Sequence, residues 1–118
     1  MMRNIHFFDL APGADEGRSI ELWDGVLAEY ALARGCIERR TLKLYDVRKA
    51  EGTDTDPIEP AQFINESVWP DVETSMACFA QKPTPEFTAA FEELRTLIIL
   101  KGCIIIPVSI ILIKVLNV

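Results

Sequence analysis

The fold of this chain is decided by residues 63–73, Phe63-Ile-Asn-Glu-Ser-Val-Trp-Pro-Asp-Val-Glu73, where a strand pattern runs directly into the start of a helix. Side chains two positions apart in a strand point to the same face of its sheet, so Asn65, Ser67 and Trp69 are predicted to share one face. Pro70 cannot donate to a ladder of backbone hydrogen bonds and ends the strand. The shared face is therefore the wall of a pocket or of a core.

The segments on either side supply three more strands and two more helical segments. Asp15 is a favourable N-cap, and the helix that follows it has one apolar stripe and ends at Gly35. Asp71 can cap the helix that follows Pro70. The predicted strands cover residues 4–10, 36–47, 63–69 and about 103–116. The first predicted helix ends at residue 35, the second ends at about residue 80, and the third runs from residue 87 to 97 or 100. Residues 48–62 are predicted to be a solvated loop or hairpin arm.

The resulting order, β-α-β-β-α-β, is typical of a ferredoxin-like α+β fold, with a four-stranded antiparallel sheet and its helices on one face. The length of 118 residues predicts a single domain, residues 1–118. Since the helices cover only one face, the opposite face needs a second cover, and another copy of the chain is the simplest one. We therefore expect a homodimer, a dimeric α/β barrel with the C-terminal strand at its interface.

The last 23 residues, 96–118, are almost wholly aliphatic, which raises the alternative of a membrane anchor. The run is too interrupted to give about 18 uncharged apolar residues in succession. Its β-branched content favours a strand buried on both faces, with a membrane or other helix as the alternative. Five residues interrupt the run, namely Lys101, Gly102, Pro107, Ser109 and Lys114.

Charge and cysteine content limit the kinds of ligand and the cellular compartment that we expect for this chain. A net charge of −6 without a basic stripe disfavours nucleic acid, because a phosphate backbone would be repelled. Cys36, Cys78 and Cys103 are an odd number without C-x-x-C spacing, which disfavours a disulfide framework or a zinc site. With no export signal visible at the start, reduced cysteines indicate a cytoplasmic protein.

Three motifs carry a family resemblance: Ala11-Pro-Gly after the first strand, Arg34-Gly-Cys36 after the first helix, and Asn65-Glu-Ser-Val-Trp-Pro-Asp-Val-Glu73. Over about residues 3 to 100 the chain resembles the dimeric α/β-barrel superfamily, and within it the antibiotic biosynthesis monooxygenase type. Members of that superfamily also serve as haem degraders, polyketide cyclases, quinol oxygenases, decarboxylases and stress proteins, so the fold alone does not assign a function. Haem degradation is disfavoured, because residues 71–100 contain no histidine to ligate the iron.

The spacing of Asn65 and Trp69 is similar to that of a catalytic Asn and Trp in members that oxygenate anthrone-like polyketides without a cofactor. The resemblance implies that the Asn65 amide holds the substrate carbonyl or a peroxy intermediate, while Trp69 shapes an aromatic slot. No cofactor or metal is needed, since a deprotonated phenol or enol can itself deliver an electron to oxygen. The same pair could also fold a polyketide chain for cyclisation.

His6 is the only histidine and is a candidate general base, with a structural role in its strand as the alternative. Glu66 has the opposite parity to Asn65 and is predicted to face the dimer side, paired with Arg39 or Arg40. The remaining pocket candidates share the predicted helix-facing side or lie at helical spacings that core packing alone would also explain. They are Phe8, Trp23, Tyr30, Ser67, Met76 and Phe79.

The sequence thus predicts a small cofactor-independent enzyme that oxygenates or cyclises an aromatic or polyketide-like substrate in a pocket between sheet and helices. Asn65, Trp69 and His6 are the predicted catalytic residues. One alternative is a non-catalytic or stress-associated dimeric barrel that binds a small apolar ligand in the same pocket. Another is a tail-anchored or partner-bound structural protein, suggested by the aliphatic C-terminus.

Overall fold

A computed structural model describes residues 1–48, 51–52 and 59–107. Four strands form one antiparallel sheet in the order β2-β3-β1-β4, which confirms the predicted ferredoxin-like α+β fold. Within the described residues the sheet is open. The elements are β1 (Met2–Leu10), α1 (Glu16–Asp24), α2 (Val26–Leu32), β2 (Glu38–Lys43), β3 (Phe63–Trp69), α3 (Val72–Ala80), α4 (Pro85–Leu97) and β4 (Ile98–Pro107).

The first helical segment differs from its prediction, because two helices replace one. Asp15 caps α1 as expected, its Oδ1 accepting from the Arg18 amide at 3.1 Å. At Gly25 the backbone leaves the helical region, with φ −96° and ψ −108°. A Cβ there would lie 2.6 Å from the Glu21 carbonyl oxygen, so the break requires glycine.

The edge strands also differ in length from their predictions. β2 covers residues 38–43 rather than 36–47, since its partner β3 begins at Phe63, opposite Lys43. β4 begins at Ile98, earlier than the predicted 103, because β1 extends to Leu10 and offers pairing partners for the three residues after α4. The predicted strand positions 108–116 lie outside the described residues, as do positions 49–50 and 53–58 of the predicted loop.

The helices pack on one face of the sheet over two buried clusters. The first is centred on the stacked rings of Phe8 and Phe63, 5.2 Å apart on neighbouring strands. The second is built around Met2 and Trp69, which are paired at the other end of the same two strands. Phe87 of α4 packs against both clusters. No helix in the described part of the chain is both long and apolar enough to cross a membrane.

On the opposite face, Glu66 is buried between two arginines. The Arg3 guanidinium donates to its carboxylate, and Arg40 Nη2 lies 3.5 Å from its other oxygen. Of the two partners predicted for Glu66, only Arg40 reaches it, because Arg39 projects to the helix-covered side. The prediction that Glu66 and Asn65 point to opposite faces of the sheet is therefore confirmed.

Candidate functional site

A band of polar side chains crosses the helix-covered face of the sheet between the two apolar clusters. Strand pairing places His6 opposite Asn65 and Asn4 opposite Ser67. These rows lie between the Phe8–Phe63 pair and the Met2–Trp69 pair. Asn4, Asn65 and Ser67 are all buried. Because buried polar groups are costly unless they are hydrogen-bonded, each needs a specific partner.

A cavity of about 560 Å³ opens between this polar band and the helices, within the size range of small-molecule sites. Asn4 and His6 line it on the sheet side, and the helices contribute most of its aromatic wall. Flat aromatic walls suit a planar ligand. The full lining comprises Asn4, His6, Trp23, Leu27, Arg39, Phe79, Phe87, Phe91, Leu94, Arg95, Ile98 and Leu100.

Asn65 holds an arginine in place rather than facing the cavity. Its side chain is 0% exposed, and its Oδ1 accepts from Arg39 Nη2 at 2.7 Å. Its amide nitrogen donates to the Arg40 carbonyl at 3.3 Å and to Thr41 Oγ1 at 3.1 Å. Arg39 Nη1 donates to the Leu27 carbonyl at 3.2 Å. The amide of Asn65 is thus fully engaged, and Arg39 is the polar group that it positions at the cavity.

Three buried polar atoms at the cavity have no hydrogen-bond partner among the described residues. They are His6 Nδ1, Trp23 Nε1 and Arg39 Nε. The His6 and Trp23 ring centroids are 5.9 Å apart, and the Arg39 guanidinium carbon lies 5.7 Å from the Trp23 ring. All three residues line the cavity, but these particular atoms are themselves buried, so a bound molecule would contact other atoms of the same side chains.

The electrostatics of the site favour a neutral imidazole beside a cation. Burial lowers the pKa of His6 below its usual 6.5, and the positive charge of Arg39 lowers it further. Burial also lowers the pKa of Arg39, although a guanidinium stays protonated at neutral pH. At neutral pH His6 can therefore accept a proton, and Arg39 can stabilise the negative charge that remains on the donor.

The structure brings some of the predicted site residues together and places others elsewhere. His6, Trp23 and Phe79 line the cavity. Trp69 is fully buried behind it, donating its indole N–H to Ser67 Oγ at 3.0 Å and packing 5.8 Å from the Phe79 ring. The others do not line it: Asn65, Phe8, Tyr30 and Ser67 are buried, and Met76 is 67% exposed on α3.

Sequence reasoning missed Arg39 and the contribution of α4. Arg39 faces the cavity because Thr41 pairs with Asn65 and Arg39 with Ser67, a register that the sequence does not specify. The α4 residues carry a signal, since Phe87, Phe91 and Leu94 follow i, i+4, i+7 spacing on one helix face. Among the described residues, no three His, Cys, Asp or Glu side chains gather as metal ligands.

The fold recurs in several solved structures. SnoaB, a cofactor-independent oxygenase from Streptomyces nogalater, matches with TM-score 0.61 and 15% identity, over 90% of both chains. A protein from Arabidopsis thaliana matches with TM-score 0.60 and 14% identity, over 90% of this chain and 91% of that one. A dimeric protein of unknown function and ferredoxin-like fold from Bacteroides fragilis matches with TM-score 0.52 and 12% identity, over 89% and 93%.

No family model matches the chain, and no curated protein matches it in sequence. At these identities the likeness defines the fold and leaves the reaction open. The chain therefore has a ferredoxin-like fold, shared with these solved structures.

Proposed function

We propose that this protein is a small cofactor-independent enzyme that oxygenates or cyclises an aromatic or polyketide-like substrate in the cavity between the sheet and the helices. The single observation that carries the proposal is that the His6 imidazole and the Arg39 guanidinium line the same aromatic-walled cavity. The presence of an oxygenase among proteins of the same fold gives further support.

In the proposed reaction, His6 removes a proton from a phenol or enol of the substrate. Arg39 stabilises the enolate that forms, and the aromatic walls hold the ring system and exclude bulk water. For oxygenation, the enolate carbon transfers electrons to O2 and forms a peroxide. Loss of water from this peroxide leaves a new carbonyl group, so that a CH2 group and O2 become C=O and H2O. For cyclisation, the same enolate attacks a carbonyl carbon of its own chain and no O2 is consumed.

The roles of Asn65 and Trp69 in this proposal are indirect. Asn65 is a positioning residue, since its Oδ1 accepts from Arg39 Nη2 at 2.7 Å. Trp69 supports the wall, because its ring packs against Phe79, which lines the cavity. A substitution at either position is expected to disturb the site without removing a group that contacts the substrate.

We also propose that the chain forms a homodimer through the outer face of the sheet. Ile104 is 44% exposed there, and Leu42 and Ile99 are exposed on the same face. An exposed apolar face of this kind is typical of an interface between copies. The dimeric Bacteroides fragilis protein of the same fold supports the assembly.

The test of the function is oxygen uptake and product analysis with a hydroxyanthrone, corrected for uncatalysed oxidation. A general base typically contributes about 100-fold or more, so His6→Gln should lower turnover by at least that factor. Asn65→Ala and Trp69→Phe should also lower it, whereas Glu92→Gln, an exposed change on α4, should not. Unchanged turnover in His6→Gln would remove the proposed site, and unchanged turnover in Asn65→Ala and Trp69→Phe would remove the supporting roles of those two residues. A ligand that binds but stays chemically intact would favour a non-catalytic binding protein.

A further inference from the structure

The charge of the cavity is opposite in sign to that of the chain. The chain carries a net charge of −6, yet two arginines, Arg39 and Arg95, line the cavity. No carboxylate belongs to the lining among the described residues. Because charges interact more strongly in surroundings of low dielectric constant, a cavity of this composition favours an anion over a neutral or cationic ligand.

Arg39 supplies one of the two charges at the edge strand β2. Its hydrogen-bond partners, the Leu27 carbonyl and the Asn65 amide oxygen, are both neutral. Within the described residues it forms no ion pair, and its Nε is buried without a partner. The Asp24 carboxylate acts on Arg39 only at longer range, and a largely buried cation without a directly paired counter-ion is costly, so an anionic ligand near the guanidinium would be favoured.

Arg95, an exposed residue, supplies the other charge from the helices that cover the cavity. It lies in the last turn of α4, which leads directly into β4 at the other edge of the sheet. It makes no ion pair or hydrogen bond to any residue that the structure describes. Its guanidinium carbon lies 5.9 Å from the ring of Phe91, another lining residue, and this cation–π contact holds it over the aromatic wall.

We propose that the substrate is an aromatic hydroxy acid that binds as an anion. Its hydroxyl or enol oxygen lies beside His6 and Arg39, and its carboxylate pairs with Arg95. A flat molecule of two or three fused rings with an oxygen group at each end fits a cavity of about 560 Å³ with aromatic walls. The inference rests on the proposed function and adds a permanent carboxylate to its substrate.

The test compares the affinities of 6-hydroxy-2-naphthoate and 6-hydroxy-2-naphthamide for the full chain by isothermal titration calorimetry. The two probes share the ring system and the hydroxyl group and differ only in the ionised carboxylate. Hydrogen bonds to charged groups are stronger than neutral ones, so the acid should bind about tenfold more tightly. Arg95→Gln should reduce this preference to about twofold or less, and Arg39→Gln should weaken the binding of both probes.

Arg48→Gln is the control, because it removes the same charge from an exposed side chain outside the cavity. It should leave the preference for the acid unchanged. Equal affinities for the two probes in the unaltered protein would overturn the inference while leaving the proposed function standing, and this comparison does not depend on any variant folding. A full preference retained in Arg95→Gln would also overturn it. If neither probe binds, the cavity is not a site for aromatic ligands, and the proposed function fails with the inference.

Discussion

Arg39 brings a positive charge into the interior of the protein, where its partners are neutral. The Asn65 amide oxygen, 2.7 Å from Nη2, compensates part of the cost of burying that charge. Strand alternation alone predicts that Asn65 faces the helices, because parity is fixed within β3. It does not predict the partner, since the choice between Arg39 and Arg40 depends on the register between β2 and β3. The sequence therefore predicts that Asn65 is a polar residue on the helix-covered face, but not that it binds Arg39.

His6 should make stability depend on pH in a definite direction. Its pKa in the folded chain is lowered by burial and by Arg39, so the unfolded chain binds a proton more readily below about pH 6.5. Its stabilising contribution is therefore complete above that pH and is lost as the pH falls toward the lowered folded value. Urea denaturation over this range should show stability falling more steeply in the unaltered protein than in His6→Gln.

His6 is the only histidine of the chain, so the difference between the two curves isolates its titration from that of the carboxylates. Parallel curves for the unaltered protein and His6→Gln would contradict the assigned burial of the imidazole.

At the scale of elements, Gly25 and Gly35 show which helix ends the apolar stripe of the first helical segment predicts and which it does not. The apolar stripe predicts a helix that ends at Gly35, and Gly35 does lie in the turn before β2, with φ +104°. The same stripe continues across Gly25, so it gives no sign of the break between α1 and α2. Likewise, β4 begins directly at the end of α4 because β1 offers partners there, a tertiary cause that the local sequence does not contain.

Gly35→Ala should be more destabilising than Gly13→Ala. Both glycines have positive φ, which costs an L-residue roughly 1–2 kcal/mol. A Cβ at position 35 would also lie 2.6 Å from Thr74 Cγ2 on α3, whereas at position 13 nothing lies within 4 Å. The clash should add about 1–3 kcal/mol, measurable as a larger fall in the free energy of unfolding. Equal losses would show that the turn before β2 does not pack against α3 as described.

At the scale of the whole molecule, the two faces of the sheet differ in composition and in what covers them. The helix-covered face has the polar band and the cavity, while the opposite face combines apolar side chains with Glu66 between Arg3 and Arg40. The order of elements predicts this division, because helices on one side leave the other side uncovered. It does not predict the cavity, whose shape depends on how α4 and α1 pack over β1.

Ile104→Glu should dissociate the proposed homodimer. The residue lies opposite Ile5 on the outer face, and a carboxylate buried against a second sheet would be unpaired. Sedimentation velocity at micromolar concentration should show a dimer for the unaltered chain and a monomer for the variant. Leu32→Glu, an equally drastic change at an exposed position of α2, should leave the dimer intact. A monomer in the unaltered protein would contradict the assembly.

The central claim is that the cavity between the sheet and the helices is the ligand site, and the two indole N–H groups of the chain test it most directly. Trp23 lines the cavity and its Nε1 has no partner among the described residues, whereas Trp69 Nε1 is bonded to Ser67 Oγ behind the wall. In a two-dimensional ¹H–¹⁵N spectrum, with the signals assigned through Trp23→Phe, titration with 6-hydroxy-2-naphthoate should shift the Trp23 indole signal and leave that of Trp69 nearly in place. Saturating ligand that shifts neither signal, or only that of Trp69, would contradict the account.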